Sequence, residues 1–104
     1  MNNMDNFKDW TDYKIIFTSS EKKEDFCKGT FSFIWGKFKG DICLGMRWDG
    51  DKGKPAFPNG QWVFLPIILT ESILKNLLRI AQNEKSEMYS SMIEKALLEF
   101  SKSQ

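Results

Sequence analysis

The chain has 104 residues, of which 28% are charged and 41% are hydrophobic, with nine Phe and four Trp among the latter. A chain of this length and aromatic content folds as one domain around one core, which excludes disorder for most of it. Fifteen Lys and Arg residues against 14 Asp and Glu give a formal net charge of +1. That balance excludes the domain-wide basic field typical of proteins that bind duplex DNA.

The absence of histidine narrows the chemistry open to this sequence. Histidine is the usual general base near neutral pH and the commonest metal ligand, so His-dependent triads and His-ligated zinc sites are excluded. Cys27 and Cys43 form no CxxC pair, which fits buried free thiols better than a zinc site or a disulfide scaffold. No spacing supplies a Lys or Asp base to a serine or cysteine nucleophile. We therefore expect no enzyme, no metal site and no cofactor.

Targeting signals are not evident in the sequence. Residues 1–6 are polar and acidic, without the basic and apolar regions of a signal peptide. The longest apolar run, residues 62–69, is far shorter than the roughly 20 residues that a membrane-spanning helix needs. We therefore expect a cytoplasmic protein that does not enter a membrane.

Alternating apolar and polar residues in the first two thirds of the chain predict four strands. The first is predicted over residues 13–18 and the second over 30–39, where aromatic residues alternate with small polar ones. A hairpin turn at Gly40 and Asp41 leads into the third strand. One face of that strand carries Ile42, Leu44, Met46 and Trp48, and the other carries Cys43, Gly45 and Arg47. The fourth strand is predicted over residues 61–65.

Helical spacing replaces this alternation in the last third of the chain. Thr70 is predicted to cap a helix, with Glu71 in its first turn. The apolar stripe of this helix comprises Ile73, Leu74, Leu77, Leu78 and Ala81. A second stripe comprises Met88, Met92, Ile93, Ala96, Leu97 and Phe100, so the region contains two helices or one bent helix.

These elements predict one α+β domain spanning residues 1–104. Its sheet is a four-stranded antiparallel curved sheet over about residues 12–66. One or two C-terminal helices follow over about residues 70–101.

Aromatic and basic side chains alternate along the second and third predicted strands. Flat rings beside cations are what unpaired nucleic acid needs, because bases stack on rings and phosphates pair with Lys or Arg. The candidate nucleic-acid-binding residues are Trp35, Lys37, Lys39, Arg47, Trp48, Lys52 and Lys54. Other interpretations stay open. Phe31 and Phe33 are also typical of core residues, and the lysines of a solvated face. A β-bulge at Gly36 would separate the rings from the lysines.

Residues 38–55 read FKGDICLGMRWDGDKGKP, which is a Phe-Lys-Gly turn, a strand ending in Arg and Trp, and an acidic loop with a Lys-Pro pair. This segment resembles the positive cofactor four family of single-stranded DNA-binding transcriptional coactivators. Residues 62–65 and 70–77 continue in the family's order of strand and helix, so the resemblance covers about residues 28–80.

The resemblance implies a curved sheet backed by a helix and a homodimer that holds unpaired DNA. The contacts it implies are Lys37, Lys39, Arg47, Trp48, Lys52 and Lys54. Two features depart from the family. Residues 56–61 carry no positive charge where the family has a basic cluster, and the second apolar stripe extends beyond the family's helix.

Two functions therefore stand as hypotheses. The first is a coactivator-like binder of single-stranded DNA or RNA that catalyses no reaction, and the resemblance implies that it is a homodimer. The second is a small protein-interaction module, an adaptor or inhibitor, in which Trp35, Trp48, Trp62 and the loop 49–60 form the contact surface. The near-neutral charge favours the second hypothesis.

Overall fold

The predicted α+β arrangement, a four-stranded antiparallel sheet followed by two helices, is confirmed. The computed structural model describes residues 9–19, 30–50 and 62–104, with the backbone alone for Asp49 and Gly50. The strands lie side by side in chain order. They are β1 (Trp10–Thr18), β2 (Thr30–Phe38), β3 (Asp41–Gly50) and β4 (Val63–Phe64). A short 3-10 helix (Ile67–Leu69) then leads into α1 (Thr70–Asn83) and α2 (Glu87–Ser103).

A two-residue turn joins β2 to β3 where a hairpin is predicted. Lys39 and Gly40 both have positive φ, 53° and 93°, which suits the tight turn whose twist matches that of the flanking strands. The Lys39 amide also donates to the carbonyl of Asp9 at 2.6 Å. This bond ties the start of β1 to the tip of the hairpin.

A bulge interrupts β1 opposite Gly36. The pairing of β1 with β2 shifts between Thr11 and Lys14, and Asp12 has a φ of 51°. A Cβ atom on Gly36 would meet the Cα and Cβ atoms of Tyr13, so the close approach of the two strands requires glycine there. The pairing of β2 with β3 is regular through Gly36, so the irregularity lies in β1 and not in β2.

One face of the sheet, the helix face, packs against α1 and α2. The buried residues of this layer are Ile16, Phe17, Phe33, Trp35, Leu44, Leu74, Leu77, Ala81, Ile93 and Ala96. Each large apolar side chain buried here contributes about 1.5–3 kcal/mol. Both predicted helical stripes therefore face the sheet, except that Met88 is 62% exposed at the start of α2.

The opposite face, here called the second face, carries a smaller apolar cluster. Trp10, Ile34, Cys43 and Trp62 are buried in it, with Phe38 packed alongside. A Cβ atom on Gly45 would lie 2.7 Å from Trp10 Cη2, so the missing side chain lets the indole lie across β3. Both faces of the sheet are therefore apolar.

The start of α1 differs from the prediction. Leu69 occupies the N-cap position without a side-chain hydrogen bond, and Thr70 is buried at 2% exposure. The preceding 3-10 helix supplies the first turn, since the Leu69 amide donates to the Pro66 carbonyl at 3.0 Å. Thr70 therefore does not cap α1, because the 3-10 helix runs directly into it.

Candidate functional site

Trp35 lies in the core, and the prediction that its ring faces water is wrong. The side chain is 4% exposed on the helix face. Its indole Nε1 donates to Glu99 Oε1 at 2.9 Å, and its ring meets the edge of Phe100 at a centroid distance of 6.3 Å. The cause is α2, whose apolar stripe covers this face of the sheet. Phe33 is sealed beneath the helices in the same way.

Lys37 and Lys39 are exposed at the end of the sheet where β2 turns into β3. The ammonium of Lys39 lies 5.6 Å from the centroid of the Phe38 ring on the second face. Asp41 is exposed on the other side of the same turn, so both signs of charge are present at this tip. The hairpin tip is a small group of charges and not a broad basic surface.

Arg47 and Trp48 lie on opposite faces of β3, as the alternation predicts. The Arg47 guanidinium stacks over the ring of Trp62 at 4.3 Å from its centroid, on the second face. Trp48 is half-buried on the helix face and meets Phe31 edge-on at 5.5 Å. The two neighbours therefore do not form one stacking platform beside one cation.

Lys52 and Lys54 lie outside the described residues. The other five predicted residues are not brought together. One is in the core, two are at the hairpin tip, and two are on opposite faces of β3. The described residues therefore do not form one surface on which rings and cations lie together.

A different surface stands out at the β4 side of the sheet. Five large apolar side chains in the run 63–69 are solvent-exposed, and we call this group the apolar edge. They are Val63 (40% exposed), Phe64 (52%), Ile67 (53%), Ile68 (86%) and Leu69 (44%). The sequence carries the signal as its longest apolar run, residues 62–69, whose composition is typical of core. It is exposed because β4 is a two-residue edge strand and the chain leaves the sheet at Pro66.

A shallow cavity of about 230 Å³ adjoins the apolar edge. Its lining residues are Phe38, Asp41, Ile42, Cys43, Phe64, Leu65, Pro66 and Ile67. The rings of Phe38 and Phe64 stack beside it at a centroid distance of 4.6 Å. The Cys43 thiol contacts the carbonyls of Leu44 and Leu65 at 3.5 and 3.9 Å, and burial raises the pKa of this thiol. The cavity is apolar apart from one carboxylate and one protonated thiol.

No described strand pairs with the part of β3 beside this cavity. The Leu65 amide donates to the Leu44 carbonyl at 2.8 Å, so the backbone groups of Leu44 face β4. Because backbone groups alternate in direction along an antiparallel strand, those of Ile42 also face outward. Within the described part of the chain, β4 pairs with β3 only at Gly45 and Met46. No described strand therefore lies beside Ile42.

Comparison with models of protein families, with curated proteins and with solved structures gives no match to this chain. The resemblance of residues 28–80 to the positive cofactor four family therefore stays a prediction. Neither α1 nor α2, nor any other helix in the described ranges, has the length and apolar character needed to cross a bilayer.

Proposed function

We propose that this protein is a non-enzymatic protein-interaction module whose contact surface is the apolar edge. The observation that carries the proposal is the exposure of five large apolar side chains within seven residues. Together they present on the order of 500 Å² of apolar surface, near the top of the range for the largest patch on a monomer, which is often functional. Ile68 is the most exposed of them and gains most from being covered.

The partner proposed for this surface is a second copy of the chain. Residues 63–69 carry no charge, and the net charge of +1 produces little repulsion between copies. Two apolar edges facing each other bury roughly 1,000 Å² in total, about the minimum for a specific interface. A symmetric pair uses the same surface on both copies, so one exposed segment is enough to form the interface.

Sedimentation equilibrium over a wide concentration range tests this proposal. We expect the wild-type chain to form a dimer, and Ile68→Lys to raise its dissociation constant by at least about tenfold, because a charge is then buried in the interface. Leu98→Lys is the matched control, since Leu98 is 58% exposed on α2, outside the apolar edge. A wild-type chain that stays monomeric at several hundred micromolar contradicts the proposal. Equal effects of the two lysine variants contradict it too.

A second candidate function is coactivator-like binding of single-stranded DNA or RNA. Two ring and cation pairs on the second face favour it, Lys39 with Phe38 and Arg47 with Trp62. Stacking beside cations is the chemistry that unpaired nucleic acid uses. Fluorescence anisotropy with labelled oligo-deoxythymidine tests it, and binding must weaken as salt rises because counterions are released. No binding at low salt removes this candidate. Binding that the double change Lys37→Ala and Lys39→Ala leaves intact shows instead that these two lysines do not carry it.

A further inference from the structure

We infer that the cavity beside Cys43 is the receptor for Ile68 of a second copy of the chain. This inference rests on the proposed function, and it specifies how two apolar edges engage. Each copy then supplies one protruding side chain and one cavity.

The cavity and the protruding side chain are matched in size and chemistry. A cavity of about 230 Å³ is large enough for the branched side chain of isoleucine, and most of its lining is apolar. Ile68 projects into solvent at 86% exposure and is not among the residues that line the cavity of its own chain. In the proposed pair, the Ile68 side chain of one copy enters the cavity of the other.

The positions of the two features favour a two-fold arrangement. Ile67 lines the cavity and Ile68 follows it directly, so cavity and protrusion lie next to each other on the apolar edge. In an isologous pair, a contact from one copy to the other is repeated in the reverse direction. One rotation therefore fills both cavities and covers both Ile68 side chains.

The backbone of Ile42, beside which no described strand lies, offers a polar contact at the same place. Its outward amide and carbonyl are beside the cavity that Ile42 helps to line. Unpaired backbone groups on a sheet edge are a template for pairing with another chain. The segment of the partner that carries its Ile68 is then placed to bond with Ile42.

Cysteine cross-linking tests the contact directly, because Cys43 lines the cavity. The test protein carries Cys27→Ser and Ile68→Cys, which leaves Cys43 as the only natural thiol. Mild oxidation followed by peptide mapping identifies which sulfurs have joined. A disulfide forms only where Cα atoms approach to about 4.4–6.8 Å. The matched control carries Cys27→Ser and Leu98→Cys, which places an exposed thiol on α2.

We expect the Ile68→Cys protein to form covalent dimers linked mainly through Cys43, and the Leu98→Cys protein to give at least about tenfold less of that product. The inference is overturned if wild-type dimers are present by sedimentation while Cys43 stays unlinked in the Ile68→Cys protein. In that case the proposed function stands and only the mode of engagement is wrong. A wild-type chain that is monomeric throughout overturns both.

Discussion

Trp35 and Glu99 are joined across 64 residues of sequence by a hydrogen bond of 2.9 Å from the indole Nε1 to Oε1. This bond connects the centre of β2 to the last third of α2. It fixes the helix over the sheet and satisfies the polar atom of a ring that is otherwise packed in apolar surroundings. The same contact explains why the ring is not accessible to a base.

Glu99→Ala should lower the free energy of unfolding by about 1 kcal/mol, because it removes the acceptor of a partly buried donor. Urea denaturation monitored by fluorescence measures the change. Glu94→Ala is the control, since Glu94 is also an exposed carboxylate on α2. If the two variants lose the same stability, the bond does not hold α2 in place.

Trp10 and Trp35 offer a second comparison, because they differ in the hydrogen bonding of the indole Nε1. Trp10 Nε1 is buried and has no hydrogen-bond partner among the described residues, whereas Trp35 Nε1 donates to Glu99. Trp→Phe at either position removes apolar volume, but only Trp35→Phe also removes a formed bond. We expect Trp35→Phe to cost about 1 kcal/mol more than Trp10→Phe. Denaturant midpoints of the two variants measure this, and the reverse order would argue against it.

Gly36→Ala should destabilise the sheet by about 1–3 kcal/mol, since its methyl group would collide with the backbone of Tyr13 in the β1 bulge. Thermal and urea unfolding measure the loss. Gly40→Asn is the control within the same hairpin, because nothing lies within 4 Å of a Cβ there and Asn tolerates positive φ. An unchanged stability for Gly36→Ala would mean that the bulge moves freely.

The sequence predicts which residues share a face but not which face meets water. Alternation places Leu44 and Arg47 on opposite sides of β3, and the structure confirms this. It cannot assign the helices to a side when both sides are rich in rings, so Trp35 is misplaced. Whether an apolar segment is covered depends on its place in the sheet. The exposure of Ile68 is therefore not predicted, because residues 62–69 have the composition of a core strand but lie at the edge of the sheet.

The bulge in β1 also escapes prediction, for a local reason. Asp12 adopts positive φ and shifts the pairing, so the alternation that marks a strand is lost around it. The predicted strand accordingly begins at residue 13, whereas β1 begins at Trp10. Gly36 marks the place, but sequence alone does not say on which strand the irregularity lies.

The thiol of Cys43 predicts how stability depends on pH. Burial raises its pKa above the ordinary value of 9.0 in the folded state. Below pH 9.0 both states keep the proton, and the stabilisation is complete. Above it the unfolded thiol ionises first, so the unfolded state binds fewer protons and stability falls as pH rises.

Urea unfolding is measured from neutral pH to above pH 9.0. The free energy of unfolding should fall more steeply with pH for Cys27→Ser than for the double variant Cys27→Ser with Cys43→Ala. The difference in slope has an upper limit of about 1.4 kcal/mol per pH unit for one proton. Every other ionisable group is the same in both proteins, so the comparison isolates Cys43. Parallel slopes would show that the folded thiol ionises as readily as the unfolded one, which the burial of Cys43 opposes.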